Sequence, residues 1–300
     1  MTGPAPRSID GYLSELRDAL AGQDPALMQD ALYDAEEYLR AEVAAKPGRS
    51  EADMLELIAS TYGAPDEVAA AYRDTEAKVK AALQAPVRRL TSSPSAIERF
   101  FGVFSDPRSY TSLFFMLLTL ATGLVYFTFA VTGLLLSAGF SILIIGIPFF
   151  LVFIGMTRVI SLGEGRLLEA VSGERMPRRP VHPGPKGTWQ TRIVEMLSDP
   201  RTWTTLAYFF LMLPLGIVYF TTATVGLVVG ICLLANPFVI IADRLGIWYE
   251  PIHYSPEWLD SIPVAILLLI VGVLLITSLL HVARGTARVH SRVAKALLVT

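Results

Sequence analysis

Residues 111–157 hold 47 consecutive positions without one Asp, Glu, Lys or Arg. A helical span needs about 20 apolar residues to cross a bilayer core, so this run predicts two transmembrane helices, with a break near 132–139. Residues 204–242 form a second uncharged run and 262–280 a third. The composition agrees: the 300-residue chain is 53% hydrophobic and 17% charged, with a mean hydropathy of +0.49, where a soluble domain carries about 25% charge. The expected fold class is all-α: a small cytoplasmic helical domain followed by a polytopic transmembrane bundle.

The charge is uneven. Residues 1–85 carry 16 acids and 8 bases, net −8, and residues 86–300 carry 11 acids and 17 bases, net +6. Three parts are expected: a polar domain over 1–85, a linker with a short interfacial segment over 86–105, and a membrane domain over 106–300. The opening MTGPAPRSIDGYLSELRDAL lacks the apolar core of a signal peptide, so residues 1–85 are expected in the cytoplasm. Cys232 is the one cysteine; it allows no intrachain disulfide and reads as a small core residue.

The polar domain reads as four short helices. Tyr12, Leu13, Leu16 and Leu20 share one face of the first, over about 9–21. Asp24-Pro25 supplies an N-cap and an N1 proline for the second, which runs to about Ala45 with Met28, Leu32, Ala35, Leu39 and Val43 inward. Ser50 caps the third, with Asp53 at the capping-box position and Met54, Leu57 and Ile58 inward. Tyr62-Gly63 closes it and Pro65 opens the fourth, with Val68 and Tyr72 inward.

The stretches YLSELRDAL (12–20), YDAEEYLRAE (33–42) and STYGAPDEVAAAYR (60–73) make this domain resemble the HAAS-type signalling domain, found on membrane proteins encoded beside PadR-like transcription regulators. The resemblance covers about the first 80 residues. It implies a helix-turn-helix regulator as partner, with Tyr62, Gly63 and Pro65 in the matching motif. Asp30, Asp34 and Glu37 lie at i, i+4 and i+7 on one helix face. That face reads either as a solvated surface or as a docking site for a basic partner.

DPRSYTSL at 106–113 returns as DPRTWTTL at 199–206, and over 106–134 and 199–227 fifteen of 29 positions are identical without a gap. Such an offset reads as an internal duplication, giving repeats over 106–198 and 199–300. In each copy Asp106 or Asp199 is an N-cap and Pro107 or Pro200 an N1 residue. Arg108 and Arg201 suit headgroups, and Tyr110 and Trp203 suit the interface. These eight residues read as membrane anchors.

Residues 158–202 carry eight bases, the tail Arg284, Arg288, Arg292 and Lys295, and 243–261 four acids against one base. The positive-inside rule then favours four spans over five, with both repeats starting in the cytoplasm as two parallel hairpins, the C-terminus inside, and 231–242 re-entrant around Asn236-Pro237. Gly226 and Gly230 suit a close helix contact. The Arg-bearing stretches at 157–175 and 281–298 suit the inner membrane surface. Two apolar hairpins, each trailed by an Arg-bearing helix, resemble the "putative sensor" domain of actinobacterial membrane histidine kinases over about 95–300. Those kinases continue into a phosphoacceptor helix and an ATP-binding domain; residues 1–300 contain neither, so no kinase output is expected of them.

The sequence has no GxSxG, P-loop, HExxH or CxxC, and His182, His253, His281 and His290 lack metal-ligand spacing. No catalytic residue, cofactor, metal or direct nucleic-acid contact is expected. Trp248, Tyr249, His253, Tyr254 and Trp258 crowd one outer segment, which reads as an interfacial belt or as the lip of a site for a lipophilic ligand. Three readings stand: a non-enzymatic plasma-membrane sensor passing an envelope or lipophilic signal to a cytoplasmic regulator; a permease subunit working with a separate ATPase; and a membrane scaffold. A homo-oligomer is compatible with each.

Overall fold

The computed structural model describes residues 6–46, 50–83, 95–142, 146–179, 194, 197–247 and 261–299. Every regular element among them is helical. The five aromatic-belt residues, Trp248, Tyr249, His253, Tyr254 and Trp258, lie outside the described residues, as does His182.

The N-terminal helices are α1 (Ile9–Ala19), α2 (Pro25–Ala45), α3 (Glu51–Thr61) and α4 (Pro65–Leu83). Their starts are chemical. The Ser8, Asp24 and Ser50 side chains accept from the N–H groups of Gly11, Ala26 and Asp53, satisfying donors the first turn leaves open. Gly63 follows α3 at φ 111°, a backbone state that favours glycine. The core holds Tyr12, Leu16, Leu20, Leu39, Met54 and Ile58, with Met28, Leu32, Val43 and Tyr72 against it. Each fully buried leucine contributes roughly 2 kcal/mol. One expectation fails: Leu57 is exposed, and Leu55 is buried instead. Leu55 follows Met54 on the inward side of α3, and Leu57 falls a half-turn away.

A short helix α5 (Ala96–Phe101) and a 3-10 turn (Gly102–Ser105) lead into the apolar helices. These are α6 (Pro107–Phe140), α7 (Gly146–Ser172), α8 (Pro200–Arg244) and α9 (Ile262–Leu298), and all four are long and apolar enough to cross a membrane. The stretch 231–242 is not re-entrant, because α8 continues through it with Pro214 and Pro237 inside the helix. The Arg-bearing stretches at 157–175 and 281–298 are largely continuations of α7 and α9 rather than separate surface helices. Cys232 is exposed on α8, not in a core.

Helix direction differs from expectation. A Cβ on Gly123 would sit 2.5 Å from the Met212 carbonyl oxygen, and one on Gly216 2.6 Å from that of Thr119. The Tyr126 and Phe209 rings stack at 5.0 Å, and Met116 clusters with Ala223 and Tyr219. Residue numbers rise on α6 as they fall on α8, so the two helices pack antiparallel and the expected parallel relation of the hairpins is not observed. Arg158 pairs with Asp199 at 2.8 Å and Glu164 with Tyr208 at 3.0 Å, so α8 starts beside the middle of α7 and advances with it. Charge counting puts the starts of α6 and α8 on one side, which requires the two helices to run parallel; the close backbone contacts at Gly123 and Gly216 set the opposite direction. Within the second hairpin, Gly226 and Gly230 face Leu279 and Ile276 across the α8–α9 contact.

Candidate functional site

The N-terminal half of α2 points Asp30 and Asp34 at the residues that follow α7. Asp30 is 5% exposed. Its Oδ1 accepts the backbone N–H groups of Arg178 and Arg179, both at 2.9 Å. Its Oδ2 takes Arg175 Nη2 at 3.0 Å. One carboxylate therefore receives three donors from residues 175–179, directly after α7. Ionised acceptors make stronger hydrogen bonds than neutral ones, and a buried carboxylate requires such partners.

The contact spreads from there. Asp34 pairs with Arg179 Nε at 2.9 Å and accepts from the Tyr72 hydroxyl at 3.0 Å. Burial and then the Asp34 charge push the Tyr72 phenol above its usual range. The Arg179 guanidinium lies 5.6 Å from the Tyr33 ring centre, within cation–π range. Arg175 also pairs with Glu76 of α4. Gln29 donates to the Arg179 carbonyl at 2.6 Å and accepts from Arg201 at 3.1 Å. Lys295 on α9 reaches Asp24 at 2.6 Å. Arg178 pairs with Glu169 at 2.7 Å, and that partner holds its guanidinium above the ordinary arginine value. A small cleft at the centre is lined by Gln29, Arg158, Met176, Asp199, Arg201 and Val299.

The sequence-derived partner residues thus separate. Asp30 and Asp34 lie in this seam and Glu37 stays exposed. Tyr62, Gly63 and Pro65 build the α3–α4 turn: Tyr62 stacks on Tyr38 at 4.4 Å, the Gly63 carbonyl accepts from Tyr12 at 2.8 Å, and Pro65 opens α4.

The anchor octets have the local chemistry expected of helix starts. Asp106 accepts from the Arg108 N–H and Asp199 from that of Arg201, each at 3.0 Å, and Pro107 and Pro200 follow them. Tyr110 donates to the Phe104 carbonyl at 3.0 Å and Trp203 to that of Leu197 at 2.8 Å. Both rings are about half exposed. Arg108 is exposed, whereas Arg201 bonds Gln29 and the Val299 carbonyl.

Sequence reasoning missed the run Arg175-Met176-Pro177-Arg178-Arg179. Its one signal was charge: a basic run in a chain whose other end carries the acid excess. Among the described residues, no three His, Cys, Asp or Glu side chains gather to hold a metal.

A family model described as "Putative sensor" matches residues 115–298, more than half of the chain. No curated protein and no solved structure matches it.

Proposed function

The chain belongs to the "Putative sensor" family, and from that premise we propose that it is a non-enzymatic membrane sensor whose acidic N-terminal domain passes the state of the helix bundle to a cytoplasmic partner. The observation that carries this reading is Asp30, buried under three donors from residues 175–179. A seam of this kind couples the two parts: whatever moves the ends of α7, α8 or α9 strains or frees the face bearing Asp30 and Asp34. A basic partner then competes with residues 175–179 for the same carboxylates. The HAAS-type resemblance makes that partner a PadR-like helix-turn-helix regulator. The signal is an envelope change or a lipophilic ligand, and it acts by binding the docked and undocked states with different affinity. The 93-residue offset between the two DPR octets fits duplication of one hairpin.

The test uses the full-length tagged protein, solubilised from native membranes, as wild type and as Arg175→Ala/Arg179→Ala. Coupling energies of allosteric systems correspond to about fivefold or more in binding. A helix-turn-helix regulator recovered at least that much more with the double variant supports the reading. Equal recovery, or recovery of an ATPase in its place, rejects it, and the ATPase would favour a permease subunit.

A further inference from the structure

A second polar cluster lies inside the bundle, apart from the seam and unused by it. Glu164 on α7 is 1% exposed. Its Oε2 accepts from the Tyr126 hydroxyl of α6 at 2.8 Å and its Oε1 from the Tyr208 hydroxyl of α8 at 3.0 Å. The same Tyr208 oxygen lies 3.0 Å from Nε2 of His290 on α9. Tyr208 and His290 are fully buried, and His290 Nδ1 is buried with no partner. The Phe115 and Tyr219 rings close around the imidazole, at 5.3 and 5.7 Å.

We propose that Glu164, Tyr208 and His290 form a buried proton-binding site joining α7, α8 and α9, with the proton itself as ligand. A buried carboxylate needs a cation or a proton, and among the described residues no cation pairs with Glu164. The bases around it are engaged or turned outward: Arg158 pairs with Asp199, Arg284 with Asp106, Arg292 with Glu174, and Lys295 with Asp24. Arg166 and Arg288 are exposed. Facing Glu164 are Tyr126 from α6, Tyr208 from α8 and, through Tyr208, His290 from α9.

The proton count closes without another reactant. In the empty state Glu164 is ionised and accepts from both tyrosines, while neutral His290 donates from Nε2 to the Tyr208 oxygen, leaving Nδ1 a bare lone pair. When one proton binds Glu164, its O–H donates to the Tyr208 oxygen, and Tyr208 donates to Nε2. The imidazole hydrogen then sits on Nδ1, where it faces aromatic rings with no acceptor. Loading thus neutralises a buried charge and creates a buried orphan donor at the contact of α9 with α6. The two states favour different packing, which is what a switch requires.

The test is infrared difference spectroscopy of the full-length protein in lipid nanodiscs across pH ~5 to ~8, the window of physiological titration. The wild type is expected to show the carbonyl stretch of a protonated carboxylic acid that appears with one-proton dependence, and Glu164→Gln to lack it. Tyr126→Phe keeps Tyr208 and His290 in place and should shift the midpoint while retaining the band. It also serves if the Gln variant does not fold. The same acid bands in wild type and Glu164→Gln at every pH would overturn the proposal, as would wild-type and Tyr126→Phe spectra with no pH-dependent acid band.

Discussion

Tyr12 carries two jobs in one side chain. Its ring is fully buried in the N-terminal core, and its hydroxyl closes the α3–α4 turn through the Gly63 carbonyl. Removing that hydroxyl in Tyr12→Phe should cost about 1 kcal/mol, the net worth of a hydrogen bond. The pH dependence has a defined sign. Burial, then Tyr62, Asp66 and Glu67, hold the phenol well above its ordinary value, so the fold retains the neutral form. The stabilisation is fully present below the unfolded value of about 10 and is lost as pH rises above it. Pulse proteolysis of the N-terminal domain in the full chain should therefore show wild type losing stability above pH ~10 more steeply than Tyr12→Phe; parallel curves would contradict this. At this scale the sequence was largely legible, because a cap or a turn glycine is recognised from its neighbours. Leu57 was misread since Met54, Leu55 and Leu57 are all apolar, and only the position of α2 decides which of them face inward.

The elements were legible up to their direction. Asp-Pro starts and apolar runs locate α6 and α8 well, but nothing along a strand of sequence states which helix lies beside which. The close approach at Gly123 and Gly216 decides it, and it makes a prediction with opposite signs. Replacing a helical glycine by alanine gains up to about 1 kcal/mol of helix propensity. At Gly155 and Gly163 nothing beyond the neighbouring turns of the same helix lies within 4 Å of the added Cβ, so alanine should stabilise or be neutral. At Gly123 and Gly216 the Cβ would meet backbone oxygens at 2.5 and 2.6 Å, and neither oxygen moves without its helix. Overpacking of this kind costs about 1–3 kcal/mol, so the clash wins and both alanine variants should be destabilised. Thermal unfolding in one detergent, read by circular dichroism, checks the ordering. Gly123→Ala as stable as Gly155→Ala would mean that α6 and α8 do not touch there.

At the scale of the whole molecule, the link between domains was the least legible feature. Asp30 and Arg178 are 148 positions apart, and a buried acid looks in sequence like any solvated one. The opposite net charges of the two parts supplied a direction without an address. The seam nevertheless has a chemical handle. Lys295 Nζ lies 2.6 Å from Asp24 Oδ2, close enough for a zero-length carbodiimide to join them as an amide. Mass spectrometry of the cross-linked full-length protein should find this link between α2 and α9. The side chains of Asp30 and Arg175 are 7% and 18% exposed, so solvent screens their pair little. Breaking one partner of such a pair costs about 3–5 kcal/mol, and tenfold in an equilibrium takes only about 1.4 kcal/mol. Asp30→Ala should therefore undock the domain and abolish the Asp24–Lys295 link, although neither linked residue is touched. Glu37→Lys, on the exposed part of the same helix, should leave it intact. Raised salt should weaken the link in the wild type, because the outer pairs are partly exposed and screened over about 10 Å at 0.1 M. An unchanged link in Asp30→Ala would mean that the carboxylate is a bystander, and the seam would then rest on its other pairs, Asp34–Arg179, Glu76–Arg175 and Asp24–Lys295.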